Sequence, residues 1–236
     1  MPVYVAWPRS LVCPTRSRSY MKRYLLALTL TLAAWAQPAH HGGAHHDFKD
    51  VPRWVEAFEE KSRDAWQKPN EVVEYLGLQP GQVVADLGAA SGYFSRPLAR
   101  AVGPTGWVFA VEVEAGFFPP LHQLAAQAGV NNIATVLASF DDPHLPEAST
   151  DVVFICDTLH HIEGRPAYYA KLKQALKSNG RIVVVDFFPD RDIPVGPKKG
   201  ERLSVDQVTC ELQAAGLRVS QNLTLLPYQY ILVGER

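Results

Sequence analysis

Seven consecutive residues, Asp86-Leu87-Gly88-Ala89-Ala90-Ser91-Gly92, carry the most specific chemical pattern in this 236-residue sequence. Gly88 and Gly92 allow a sharp backbone turn and a close approach to a ligand that side chains would obstruct. Asp86 sets a carboxylate ahead of them. A phosphate placed over the following helix start would be repelled by that charge, whereas a cofactor with a cationic amino-acid end would be welcomed. Twenty residues after Gly92, the apolar stretch Val108-Phe109-Ala110-Val111 ends in Glu112. That is the expected place for an acid accepting hydrogen bonds from ribose hydroxyls. Glu114 is the second choice.

Strand–helix alternation must position these groups. Gln82–Leu87, Gly106–Glu112, Ile133–Leu137, Asp151–Cys156 and Arg181–Phe187 are short apolar runs that read as buried strands. Between and around them, Pro52–Trp66, Pro69–Leu76, Gly92–Val102, Phe117–Ala128, Pro166–Lys177 and Val205–Ala215 read as helices, with Pro119-Pro120 in a first turn and Gly216 as a C-cap. Leu217–Leu225 and Tyr228–Val233, joined by a tight turn at Pro227, are expected to pair antiparallel. The alternation predicts an α/β fold, a parallel sheet with helices on both faces. Ligands of such sheets bind outside the carboxyl ends of the strands.

The charge balance excludes one class of partner. The chain has 23 Lys and Arg against 24 Asp and Glu, but residues 1–36 hold Arg9, Arg16, Arg18, Lys22 and Arg23 and no acid, so the remainder carries −6. A body this acidic lacks the footprint of a nucleic-acid binder. Three scattered cysteines, Cys13, Cys156 and Cys210, make neither a disulfide framework nor a zinc site.

Met21-Lys22-Arg23, the apolar run Tyr24–Trp35 and Ala34-Trp35-Ala36 before Gln37 have the order of a secretory signal peptide, with residues 1–20 as an upstream extension. Residues 1–36 are therefore expected to direct export to the periplasm or the medium. An uncleaved anchor giving membrane association, or a cytoplasmic protein, are the alternatives. Residues 37–50, with His40, His41, His45 and His46, read as a His-rich linker; imidazoles of this density suit a transition metal, but no fixed ligand spacing is present.

From about Trp54 onward the sequence resembles the class I S-adenosylmethionine-dependent methyltransferases, notably the ubiquinone/menaquinone-biosynthesis type. The resemblance rests on Asp86-x-Gly88-x-Ala90-x-Gly92, Glu112, Asp141-Asp142-Pro143-His144-Leu145-Pro146, Asp151–His161 and Leu176-Lys177-Ser178-Asn179-Gly180-Arg181. Ala90 stands where the family usually has glycine. The resemblance implies a methyltransferase domain over 51–236 with a Rossmann-like seven-stranded sheet, order 3-2-1-4-5-7-6, strand 7 antiparallel. It implies S-adenosylmethionine as cofactor: the Gly88–Gly92 turn around the methionine part, Glu112 on the ribose, Asp141 on the adenine amino group with Phe140 beside the ring, and Asp157 facing the methionine end or the acceptor.

A sulfonium methyl is already activated, so the protein must hold a nucleophile in line and, for a phenol, enol or protonated nitrogen, remove a proton. His160 and His161 follow Cys156-Asp157-Thr158-Leu159 at the place for such a base. His160 is preferred; a packing or capping histidine is the alternative. Trp66 is a candidate lid residue, Tyr228-Gln229-Tyr230 a candidate acceptor wall, and Lys198, Lys199 and Arg202 a candidate anion-greeting cluster, with core packing or a solvated charge cluster as the plainer readings. The expected activity is methyl transfer to a small-molecule acceptor. The alternative is an exported, non-catalytic protein binding S-adenosylmethionine or a metal on the same fold. A nicotinamide-dependent reductase is rejected despite the Tyr169–Lys173 spacing, because Asp86 precedes the turn and Phe94 replaces a third glycine.

Overall fold

The period-2 pattern of the strands places alternate side chains on opposite faces of one sheet. In the computed structural model, which describes residues 48–236, helix α1 (Val51–Phe58), the short α2 (Asp64–Gln67) and α3 (Pro69–Leu76) precede strand β1 (Val83–Leu87). There follow α4 (Ser95–Val102), β2 (Trp107–Glu112), α5 (Phe118–Gln127), β3 (Ile133–Leu137) and β4 (Thr150–Cys156). The chain closes with α6 (Arg165–Ala175), β5 (Leu176–Phe187), α7 (Val205–Ala214), β6 (Arg218–Asn222) and β7 (Gln229–Glu235). The expected signal segment 1–36 and His40, His41, His45 and His46 lie outside the described residues.

The seven strands lie in the order β3-β2-β1-β4-β5-β7-β6. The first five are parallel, and β7 runs antiparallel to both β5 and β6. This is the expected Rossmann-like sheet. On β4, Val152 and Phe154 pack with Val72 of α3, Leu98 of α4 and Leu121 of α5. Val153 and Ile155 face the other way, onto Tyr169 and Leu172 of α6 and Val208 and Leu212 of α7. Helices thus cover both faces, and the sheet buries near-continuous apolar strands, as a parallel sheet must.

Several boundaries differ from the sequence reading. The expected helix Pro52–Trp66 is interrupted: Glu60 is extended, with φ −62° and ψ 124°, and Ser62 Oγ donates to Glu60 Oε1 at 2.6 Å. A local side-chain bond of this kind competes with helical pairing. The fourth helix starts at Ser95, not Gly92, because Gly88, Ala90 and Gly92 all take positive φ. The sixth ends at Ala175, and β5 begins at once at Leu176, well before the expected Arg181. The link between β6 and β7 is six residues long, not a tight turn. Asn222 Oδ1 ends β6 early by accepting from the backbone N–H groups of Thr224 and Leu225. Among the described residues no helix is long and apolar enough to cross a membrane.

Candidate functional site

Because β1, β2, β4 and β5 are parallel, their carboxyl ends open on one edge of the sheet, and four acids stand there: Asp86, Glu112, Asp157 and Asp186. The turn after β1 is shaped by its glycines. Gly88 has φ +75°, and a Cβ there would overlap the Thr158 side chain; one on Gly92, φ +80°, would come within 2.9 Å of Leu121 Cγ. Gly88 and Ala89 both donate N–H to Val111 O, at 2.8 and 3.1 Å, which folds the turn back over β2. Ala90 keeps the turn without glycine by adopting φ +45°.

Asp86 lies beneath this turn, 3% exposed, and accepts from Ser95 Oγ at 2.6 Å at the start of α4. Desolvation pushes its carboxyl up to about 6, against the pull of the Ser95 hydrogen bond. Glu112 is also buried. One oxygen accepts from Ala90 N–H at 3.0 Å, and the other from Val113 and Glu114 N–H at 2.7 and 3.1 Å. Burial still holds its carboxyl above the usual range, with the three backbone donors opposing. A carboxylate offers about four lone-pair directions, so these bonds leave Glu112 capacity for a further donor. Phe140 and Asp141 lie on an exposed shelf after β3. Ser139 Oγ donates to Asp141 Oδ1 at 2.8 Å and holds that carboxyl low.

Asp157, one residue past β4, has φ +55°, a strained conformation for a residue with a side chain. Its carboxylate accepts from Gln229 Nε2 and stands 3.5 Å from Arg63 Nη2. Desolvation pushes it up to about 7, and the Arg63 charge pulls the other way. Behind it the buried Gln67 donates to Gln229 Oε1 at 2.7 Å and to Cys156 Sγ at 3.0 Å. Burial drives the Cys156 thiol well up, so it is neutral.

His160 occupies the single helical turn Leu159–His161, and Asp186 holds it. Nδ1 lies 3.2 Å from Oδ1 and 3.3 Å from Oδ2 of Asp186, a fully buried acid that also accepts from Phe187 N–H at 2.8 Å. Burial lowers the affinity of His160 for a proton. The hydrogen bond and charge of Asp186 and the charge of Asp157 outweigh it, so the imidazole pKa is raised.

The segment Val51–Gln67 lies along this edge. Glu59 accepts from Ser91 Oγ at 2.6 Å and pairs with Arg96 at 2.5 Å, and Tyr93 OH donates to Asp64 at 2.5 Å. Phe48, Trp54, Phe58 and Phe117 form an aromatic cluster that reaches His161, whose ring centre is 4.2 Å from that of His160.

The structure therefore brings Asp86, Gly88, Ala90, Gly92, Glu112, Asp157 and His160 to one sheet edge, with Phe140 and Asp141 on its rim. Asp186, Arg63 and Gln67 were missed. Asp186 carried a readable signal, an acid ending the apolar run Val183-Val184-Val185, the same grammar as Asp86 and Glu112. Of the candidate acceptor wall, Gln229 reaches the site, whereas Tyr230 is fully buried and donates to Leu203 O at 3.2 Å. Trp66 packs on Phe187 and Tyr228. Arg202 is spent on Pro197 O and Arg191 O, at 2.8 and 3.0 Å, so it braces its loop.

This donor set fits a sulfonium cofactor. Carboxylates under and beside a glycine turn suit a cationic amino-acid moiety, Glu112 suits a diol, and the turn excludes any Cβ at Gly88. Residues 84–180 match a family model described as a methyltransferase domain. The ubiquinone/menaquinone biosynthesis C-methyltransferase UbiE of Shewanella halifaxensis is 25% identical over 159 residues, covering 62% of this chain and 63% of that protein. The protein of the same name from Stutzerimonas stutzeri is 28% identical over 116 residues, 49% of this chain and 45% of the relative. The chain spans less than two thirds of the length of these curated relatives. Among solved structures, a SAM dependent methyltransferase from Aquifex aeolicus superposes with a TM-score of 0.73 at 23% identity, over 78% of this chain and 97% of that one. The likeness to that structure establishes the fold.

Proposed function

We propose, from the premise that this chain carries a class I S-adenosylmethionine-dependent methyltransferase domain, that it transfers the donor's methyl group to a small-molecule acceptor whose proton passes to His160. The observation that carries the reading is the meeting of Asp86, Glu112 and Asp157 around a turn with no room for a side chain at Gly88. In this reading the Gly88–Ala90–Gly92 turn and Asp86 hold the methionine part, Glu112 accepts from the ribose hydroxyls, and Phe140 and Asp141 flank the adenine. Asp157 faces the reacting end.

The donor supplies a methyl carbon already activated by its sulfonium charge. The acceptor's nucleophilic atom forms a bond to that carbon, the carbon–sulfur pair stays with sulfur to give a neutral thioether, and the acceptor's proton goes to Nε2 of His160. Asp186 fixes the tautomer in which Nδ1 carries the hydrogen and Nε2 the free lone pair. It also stabilises the imidazolium that results. Positioning supplies most of the acceleration, and proton removal a further factor of about 10²–10⁴.

Calorimetry on the purified protein tests the first part. S-adenosylmethionine and S-adenosylhomocysteine are expected to bind, with little affinity for NAD; nicotinamide binding without sulfonium binding overturns the reading. Isotopically labelled methyl donor, offered with a host-cell extract and its membrane fraction, then identifies the acceptor by the label it gains.

A further inference from the structure

The shelf after β3 projects into solvent, yet its shape is closely held. Ser139 N–H donates to Asp142 O at 2.9 Å and Asp142 N–H donates to Ser139 O at 3.2 Å, which closes a tight turn with Phe140 and Asp141 at its tip. Phe140 is 67% exposed there. We propose that Lys171 of α6 is a positioning residue for the donor's base: by clamping this turn it sets the discrimination in favour of a 6-amino purine. The inference rests on the methyl-donor reading above and adds a residue that acts through Asp141 and not on the ligand.

Lys171 Nζ donates to Asp141 O at 2.7 Å and stands 2.9 Å from Asp142 Oδ2, so one ammonium holds two successive residues of the turn. The other Asp142 oxygen accepts from His144 N–H at 2.8 Å. His144 folds back with φ +51°, and its Nδ1 lies 2.8 Å from the carbonyl oxygen of Leu137, the last residue of β3. A carbonyl only accepts, so Nδ1 carries the hydrogen. The turn is thereby tied to α6 on one side and to β3 on the other. Tyr168, three residues before Lys171 and on the same side of α6, shares a buried apolar cluster with Ala138, and Leu145 packs against that cluster. Burial fixes the roots of the shelf, and the polar bonds of Lys171 hold its tip. Lys171 also separates two like charges. Asp141 and Asp142 are adjacent carboxylates, and the ammonium helps to hold both low, so Asp141 stays ionised and accepts a stronger hydrogen bond from an exocyclic amino group. Each member of the Lys171–Asp142 pair is 37% exposed, so its loss costs the fold little. A turn no longer set in advance must instead be ordered when the base binds, and affinity falls.

The test compares S-adenosylhomocysteine with S-inosylhomocysteine, in which an oxygen replaces the 6-amino group, by calorimetry on the whole protein. The wild type is expected to prefer the 6-amino ligand by about 10- to 100-fold, the worth of a charge-assisted bond. In Lys171→Met that ratio falls by about 3- to 10-fold at a nearly unchanged melting temperature. Asp141→Ala brings it near one, and adding Lys171→Met to Asp141→Ala lowers it no further, the non-additivity of a residue that acts through another. Lys171→Gln gives the same fall and carries the comparison if Lys171→Met fails to fold. An unchanged ratio in the Lys171 variants, an equal weakening of both ligands, or a wild type without preference overturns the proposal and leaves the donor reading intact. Failure of the wild type to bind either ligand overturns the donor reading itself.

Discussion

His160 Nδ1 stands 3.2 Å from Asp186 Oδ1, and the two residues come from the ends of adjacent parallel strands 26 positions apart in sequence. The pairing follows from register. Cys156 lies opposite Val185, so the chain leaving β4 and the last residues of β5 meet at the same level of the sheet edge. A buried acid behind an imidazole fixes its tautomer and stabilises its protonated form, and both effects serve a base.

Removing the charge while keeping the shape separates this role from packing. Asp186→Asn is expected to lower turnover by about 10²-fold or more, and His160→Ala by about 10²–10⁴-fold, with donor affinity nearly unchanged in both. Because the carboxylate raises the imidazole pKa, the acid limb of the rate–pH profile moves to lower pH in Asp186→Asn. The His160→Ala loss shrinks as the acceptor's own pKa falls, since an ionised nucleophile needs no base. A rate loss that ignores both pH and acceptor pKa, accompanied by a lower melting temperature, assigns the pair to structure.

The glycine turn gives a second test. Gly88→Ala places a methyl against Thr158 and forces an L side chain into φ +75°. The expected result is a loss of about 1–3 kcal/mol in stability together with donor binding. Adding Thr158→Ala relieves the overlap but not the backbone strain, so the double variant recovers part of the stability. Denaturant titration and calorimetry on both proteins measure the two effects.

The periodic parts of the molecule were legible because burial on both faces writes itself as apolar runs, and β4, with Val152-Val153-Phe154-Ile155, is the clearest. Asp86 and Glu112 were legible because each acid ends an apolar run, Asp86 directly ahead of the glycine-rich turn and Glu112 twenty residues beyond it. The break at Glu59–Arg63 was not. Residues 52–66 favour a helix locally, and the interruption comes from a local Ser62–Glu60 bond and from Glu59 reaching Ser91 and Arg96, 32 and 37 positions away. Long-range polar links of this kind have no period. Arg63 and Gln67 were hidden for the same reason, since each resembles an ordinary surface residue until the fold closes around it.

Ala90 offers a prediction of opposite sign. A left-handed residue with a Cβ costs about 1–2 kcal/mol, and glycine returns about 0.5–1 kcal/mol of that as extra freedom in the unfolded chain. Ala90→Gly is therefore expected to stabilise by up to about 1 kcal/mol and to keep donor binding. A melting temperature that falls shows that the Ala90 methyl contributes packing that outweighs the backbone cost.

The pH dependence of stability carries a definite sign. Asp86 and Asp157 titrate near 6 and 7 in the fold, above the value of about 4 for an unfolded Asp. Folded pKa values raised in this way mean that each group's stability contribution is fully present below about pH 4 and is lost as pH rises through 6 to 7. Relative to the wild type, Asp86→Asn is expected to gain stability between pH 4 and pH 7, measured by denaturant titration at fixed ionic strength. The cationic donor favours both carboxylates in their charged forms, so its binding tightens and releases protons over the same interval, which calorimetry in buffers of different ionisation heat detects. A flat difference between the two proteins removes Asp86 from this linkage.

Glu59 is the fastening of the segment that covers the site. Among the residues of α1 none is fully buried, so the N-terminal part of this segment is held by the aromatic cluster and by the polar links of Glu59 to Ser91 and Arg96, while Asp64–Tyr93 and Gln67–Gln229 fasten its other end. Segments held this way open locally at a cost well below that of global unfolding. Glu59→Ala releases both partners at once. The sheet and its two packed faces are untouched, so the global melting temperature is expected to change little, while amide exchange accelerates across Val51–Gln67. Donor affinity falls a few-fold, because Arg63 and Gln67 reach the site only when that segment is seated. Added S-adenosylhomocysteine slows the exchange again, since a ligand that needs the closed segment stabilises it by mass action. Exchange that is equally slow in wild type and variant shows that the aromatic cluster of Phe48, Trp54, Phe58 and Phe117 seats the segment without Glu59.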